Sequence, residues 1–326
     1  MFGGKKSGDG ASRFGALRSA TAPLAPRLEF STRGRESLVD LRRYCAPVED
    51  QKTLPSCNAC AVVSALEYLV IKSGKPHVDL SVLYVYWFAR KLAGNERKKV
   101  GLLCHHATAA VMAYGVCEDR QWPYRIDKWD DEPSERAQGE STRFDAVQYA
   151  RLASSDEAKV SLSQGVPVLF GFDIPGAYYD AAATSGVLPD VGAFDHLPMD
   201  GHTMLIVGYD DSDRTWLAQN SWGAGWGQRG YCRIPYDLAA KYTWNDELWA
   251  IGALEKMDRA RLIGPSMQQA VQDTQQNAAS QVDEALRKLG KEIGEELDKR
   301  VSDAKLSIRE RLQAQERELE ARRKKD

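Results

Sequence analysis

Between Leu38 and Leu254 the apolar residues change their rhythm part-way, and that change restricts the fold more than any single motif. In "LSVLYVYWFARKLAG" and "HHATAAVMAYGV" they recur at helical spacing, whereas "GVPVLFGF", "HTMLIVGYDD", "TWLAQNSW" and "GYCRIPY" are short strand-like runs. Helices first and strands afterwards predict an α+β domain whose two halves meet at a cleft. A chain of 326 residues, 43% of them hydrophobic, can build one such core with material left over.

The material left over lies at both ends. Residues 1–36 mix Gly, Ser, Ala and basic side chains with little periodicity, which predicts a flexible or surface-hugging arm. The arm is too short to fold alone but long enough to lie across the cleft and keep the protein latent until it is cut or displaced. The domain is expected over 37–258. In the tail, 259–326, Gly264-Pro265 breaks the chain and composition shifts to Gln, Glu, Lys, Arg and Ala. From Val282 to Leu312 the apolar positions advance eight steps in 30 residues, slightly slower than a straight helix. An extended helix follows from this, either a mostly solvated single helix lying on its own domain or, through its narrow apolar stripe, the contact of a homo-oligomer or a partner protein over 266–326.

Charge and cysteine usage narrow the function classes. Lys+Arg 44 against Asp+Glu 46 leaves a formal charge of −2, which gives no electrostatic reason to expect nucleic acid. The first thirty residues lack the apolar core of a secretory signal, and no run of about 18 apolar residues occurs, so neither a Sec signal nor a membrane span is expected. Synthesis in the cytoplasm follows, with delivery by a non-classical route or carriage on a virus particle left open. The six cysteines, at 45, 57, 60, 104, 117 and 232, are irregularly spaced in a long chain, which favours reduced thiols.

Two of those thiols, Cys57 and Cys60, stand three residues apart where "EDQKTLPSCNACAVVSALEYL" turns apolar. A structural zinc site needs about four Cys or His ligands in two close pairs, and only "CHH" at 104–106 offers a second cluster. A redox pair wants a strand directly before it, whereas "DQKTLPS" is polar and turn-like. The third reading is a nucleophile at a helix N-terminus, where backbone N–H groups favour thiolate, with Ser56 as a cap. Such a sulfur needs a base and an orienting group, and His202 in "DGHTMLIVGYDD" and Asn220 in "LAQNSWGAGWGQRGYCRIPY" supply both types.

At these residues the chain resembles the papain-like cysteine peptidases, particularly bacterial members that lack a tryptophan after the nucleophile. A glutamine six residues before the cysteine (Gln51, Cys57), a Gly-His pair followed by "VGYD" (Gly201, His202) and Asn-Ser-Trp-Gly through Gly-Tyr (Asn220 to Tyr231) carry the likeness, over about "YCAPVEDQ" to "NDELWAIGAL". "GVCEDRQWPY" agrees as well. The resemblance implies a two-lobed α+β fold, with a helical left half and an antiparallel β-rich right half, and a peptide or protein substrate with no cofactor or metal. It implies Cys57 as nucleophile, His202 as base, Asn220 as orienting group, Gln51 as an oxyanion donor and Trp222 as cover. Gly101, Leu102, Asp200 and Gly201 would touch substrate. The departures are Leu54 and Pro55 in place of the family's Cys-Gly, Asn58 after the nucleophile, and the missing long helical propeptide.

Endopeptidase action is the expected chemistry, with acyl transfer or deamidation by the same triad as the nearest variant. An inactive fold working through its tail is the alternative from another class. Cys60 is expected in the core, His77, His105 and His106 are expected to be structural, and His196 sits in a loop with no strand behind it.

Overall fold

A computed structural model describes residues 14–17, 36–141 and 147–254. The tail calls over 259–326, and all of the arm except 14–17, lie outside the described residues.

Helices come first, as the rhythm of the sequence requires: α1 (Cys57–Lys72), α2 (Val82–Leu92), α3 (Cys104–Tyr114) and α4 (Glu135–Ser141). A three-residue strand, β1 (Leu38–Asp40), precedes them. The second half holds β2 (Val147–Arg151), α5 (Ser155–Ser163), β3 (Val168–Ile174), α6 (Gly176–Ala181), β4 (Asp200–Asp210), β5 (Thr215–Gln219), β6 (Tyr231–Pro235), α7 (Tyr236–Tyr242) and β7 (Thr243–Leu254). These strands form one antiparallel sheet in the order β2-β7-β3-β4-β5-β6, with β1 added beside β4 through Leu38 opposite Asp210 and Asp40 opposite Gly208. Together they are the expected α+β arrangement.

Helix α1 is the pivot of the core. Every residue from Cys57 to Val70 is buried, because the helix packs against α2 and α3 on one side and β4 and β7 on the other. A helix buried on all faces is stable only in such a position, where each buried Val, Leu or Ile contributes about 1.5–3 kcal/mol. Ser56 stands at its N-cap but makes no cap bond, since its hydroxyl pairs with Tyr124 Oη at 2.8 Å. The expected cap is therefore replaced by a side-chain tie to the loop after α3. Helix α2 does carry a cap, Ser81 Oγ accepting from Tyr84 N at 3.1 Å.

Two buried polar groups brace the helical half. Arg90, 0% exposed, donates to the carbonyls of Glu96 (2.6 Å), Lys98 (3.1 Å) and Trp129, and lies over the Tyr86 and Trp129 rings. Glu67 in α1 accepts from Leu80 N at 2.8 Å and pairs with His77 at 3.2 Å, which fits the structural role expected of that histidine. Carboxylate oxygens of Glu49, Glu67 and Asp79 come within 4.8 Å of one another. Burial, reinforced by these neighbouring carboxylates, pushes Glu49 up to about 8 and Glu67 to about 9.

All six cysteines are free, and Cys60 is in the core as expected. Cys117 lies beyond the end of α3, which Gly115 at φ 69° terminates. No helix among the described residues is long and apolar enough to cross a membrane.

Candidate active site

The N-terminus of α1 abuts strand β4, and this contact brings Cys57 beside the strand that carries His202. Backbone hydrogen bonding from Thr203, Gly15, Asn58 and Cys57 itself favours a thiolate at this sulfur. Burial pushes the thiol up to about 11, and those four donors pull against it. Part of the cover over Cys57 is Ala16, whose methyl packs directly on it.

His202 is fixed from two sides. Strand β4 pairs with β5, Leu205 opposite Gln219, so Asn220 leaves β5 beside the end of β4 that carries the histidine. Asn220 Oδ1 lies 2.7 Å from His202 Nε2 and accepts from Ser221 N at 2.8 Å. An atom that accepts from a backbone N–H is the oxygen, so Nε2 of the imidazole carries the hydrogen and Nδ1 is the basic nitrogen. The Trp222 ring lies 4.9 Å from the imidazole at 31°, and Tyr179 meets it edge-on at 5.2 Å. Trp226 supports Trp222 at 5.2 Å. The histidine–asparagine bond is thus enclosed by aromatic carbon, where it is electrostatically stronger than in water.

Gln51 belongs to the same frame. Its Oε1 accepts from Ser221 Oγ at 2.6 Å, its Nε2 donates to Leu54 O at 2.8 Å, and its backbone N–H donates to Ser221 O at 2.9 Å. The segment before α1 is thereby tied to the residue after Asn220. A second sulfur stands close by: Cys104, first residue of α3, contacts Asn58 Oδ1 at 3.3 Å and Thr203 Oγ1 at 3.2 Å. Asn58 also donates to Leu102 O at 2.6 Å, so the residue after Cys57 ties α1 to the loop before α3.

Residues 36–251 match the papain family cysteine protease profile, about two thirds of the chain. The chain belongs to the papain family of cysteine proteases. An uncharacterized peptidase C1-like protein of Acanthamoeba polyphaga mimivirus is 26% identical over 71% of this chain and 77% of that protein. Thiol protease aleurain of Arabidopsis thaliana is 36% identical over 68% of this chain and 62% of its own length, and human cathepsin L2 26% over 61% and 60%. The chain thus spans under two thirds of these two relatives. Among solved structures, xylellain, a cysteine protease from Xylella fastidiosa, superposes with a TM-score of 0.68 at 24% identity, covering 75% of this chain and 97% of that one. This papain-family cysteine peptidase has relatives in viruses, protozoa, plants and animals, so the matches do not single out a bacterial branch.

The four residues expected to touch substrate surround one segment of the protein's own arm. Gly15 N and Ala16 N donate to Gly201 O at 3.1 and 3.0 Å, Leu17 N donates to Leu102 O at 2.8 Å, and Leu102 N donates to Gly15 O at 2.7 Å. Gly101 lies against Gly15, and Asp200 Oδ2 accepts from Gly176 N at 3.2 Å beside Phe14. Sequence reasoning missed Phe14, Asn58, Tyr179, Thr203 and Ser221. Only Ser221 had a motif to announce it, as the middle of Asn-Ser-Trp; the others act by position. His196 is exposed in its loop, apart from these contacts.

Proposed function

We propose that this peptidase hydrolyses peptide bonds with Cys57 as nucleophile, His202 as base, Asn220 as the group that orients it and Gln51 as an oxyanion donor. The observation that carries the reading is His202, bonded to Asn220 at 2.7 Å, on the same strand, β4, against which α1 with Cys57 at its start packs. In this scheme the Cys57 proton moves to His202 Nδ1 as sulfur attacks the carbonyl carbon. The imidazolium then protonates the leaving amine, and water releases the acyl group. An amide nitrogen carries two hydrogens; Gln51 gives one to Leu54 and offers the other to the oxyanion, alongside the Cys57 N–H. The substrate is a peptide or protein chain, and six free cysteines support work in a reducing compartment.

Cys57 is preferred to Cys104 on donor chemistry. Backbone hydrogen bonding at Cys57 favours a thiolate against its burial, whereas the Cys104 sulfur donates to the Asn58 carbonyl oxygen and lies beside the Thr203 hydroxyl. In chains beginning at Gly34, Cys57→Ala abolishes hydrolysis of unstructured peptides and labelling by a thiol-directed epoxide, while Cys60→Ser and Cys104→Ser retain both. Retention by Cys57→Ala with loss in Cys104→Ser overturns the assignment. Mass spectrometry separates hydrolysis from deamidation or acyl transfer, since only main-chain hydrolysis creates new amino termini.

A further inference from the structure

The segment Phe14–Leu17 occupies the ground directly over Cys57 and His202, and each of its residues meets a different steric demand. The Phe14 ring lies 6.0 Å from the His202 ring at 89°, 5.7 Å from Trp222 and 5.8 Å from Tyr179. Its floor is Gly176, where an added Cβ would stand 3.0 Å from the ring edge. Gly15 is squeezed from two directions. A Cβ at Gly15 would stand 2.6 Å from Pro55 Cα and nearer still to the Pro55 carbonyl, and a Cβ at Gly101 would stand 2.6 Å from the Gly15 carbonyl carbon and nearer still to its oxygen. Both obstacles are backbone, which cannot rotate aside. Ala16 puts one methyl on the sulfur and is 7% exposed, while Leu17 is 51% exposed and enters no pocket.

The backbone of the segment adds recognition without a side-chain code. It forms a parallel bridge between Ala16 and Leu102 and gives two N–H groups, those of Gly15 and Ala16, to Gly201 O. The Pro55 atoms that exclude a side chain at position 15 are its carbonyl and Cα, which any residue at that position would present.

We infer that Phe14–Leu17 is a plug read residue by residue, in which an aromatic ring, a bare glycine and a methyl must arrive in that order, with Gly15 fixing the register against Pro55 and Gly101. This rests on the reading of Cys57 as the reactive sulfur. The consequence is a binding site in the cleft for aromatic-glycine-small peptides, filled by the protein's own arm. Because Gly15 fits only without a side chain, one added methyl there unseats the whole segment.

The test uses the full chain. Gly15→Val and Phe14→Ala are compared with the unaltered protein for the rate at which iodoacetamide modifies Cys57, read by peptide mass, with thermal unfolding as the check that the domain is intact. Gly15→Val is expected to accelerate modification at least about tenfold, since the sulfur loses its cover. Phe14→Ala is expected to accelerate it by a smaller factor. The synthetic peptide Arg-Phe-Gly-Ala-Leu should protect Cys57 in the Gly15→Val protein, and the same peptide with valine for glycine should not. Unchanged labelling in both variants, or equal protection by both peptides, overturns the plug. Faster labelling without peptide hydrolysis would support the plug while removing the peptidase reading, so the two fail separately.

Discussion

His202 Nε2 and Asn220 Oδ1 stand 2.7 Å apart because neighbouring antiparallel strands deliver them, β4 carrying the histidine and β5 ending one residue before the asparagine. The pair is therefore a product of sheet register, and a change that leaves the sheet intact tests its chemistry alone. Asn220→Ala is expected to lower kcat by about tenfold to 100-fold, the worth of about 1–3 kcal/mol of one buried hydrogen bond. Steady-state kinetics, with KM little altered, checks this.

Gln51 combines two duties that substitution can separate. Gln51→Ala removes the proposed oxyanion donor, for a loss of about 100-fold to 1000-fold in kcat. It also releases Leu54 O and Ser221 Oγ, so its Tm falls. Gln51→Glu keeps the length of the side chain but cannot donate, and is expected to lose activity to a similar extent. A Gln51→Glu protein with full activity would count against the donor role.

Arg90 holds two loops through carbonyl contacts that a point charge cannot reproduce. Arg90→Met leaves buried carbonyls at Glu96, Lys98 and Trp129 without their donor and is expected to cost at least about 3 kcal/mol. Arg90→Lys is expected to recover only part of that. Urea unfolding of the three proteins gives the comparison.

The carboxyl groups of Glu49 and Glu67 make stability depend on pH with a definite sign. Burial raises both, to about 8 and about 9, from an ordinary value of 4.5. Between these limits the folded chain keeps protons that the unfolded chain has released, so stability declines as pH rises through the window and levels off above it. Glu67→Gln, which cannot ionise, is expected to flatten the Tm profile between about pH 5 and about pH 9. A wild-type Tm that rises steadily over the same range would contradict this.

The features legible in the sequence were those with either a period or a motif. Short strand-like apolar runs located β3, β4, β5 and β6, and helical spacing located α2 and α3. Cys57, His202 and Asn220 could be singled out as candidates because a nucleophile, a base and an orienting group are restricted to few residue types, and Gln51 through the resemblance of its spacing from Cys57. Tyr179 was not, since an aromatic in "GAYYDAA" looks the same whether it faces only the core or the His202 ring. The group of Glu49, Glu67 and Asp79 was hidden for another reason: three separate segments must fold before the carboxylates meet. Ser56 shows the reverse error, a residue well suited to a cap whose hydroxyl is claimed by Tyr124.

The strand β1 begins only 21 positions after Leu17 and is held in the sheet by Asp210 and Gly208. Cleft occupant and anchor are thus joined in one molecule, and short tethers of this kind produce effective concentrations on the order of millimolar. A peptide arriving from solution competes against that figure, whereas one cut among residues 18–35 would let the released segment be lost by dilution. Scission of the tether, more than affinity for any competitor, then decides how long the sulfur stays covered.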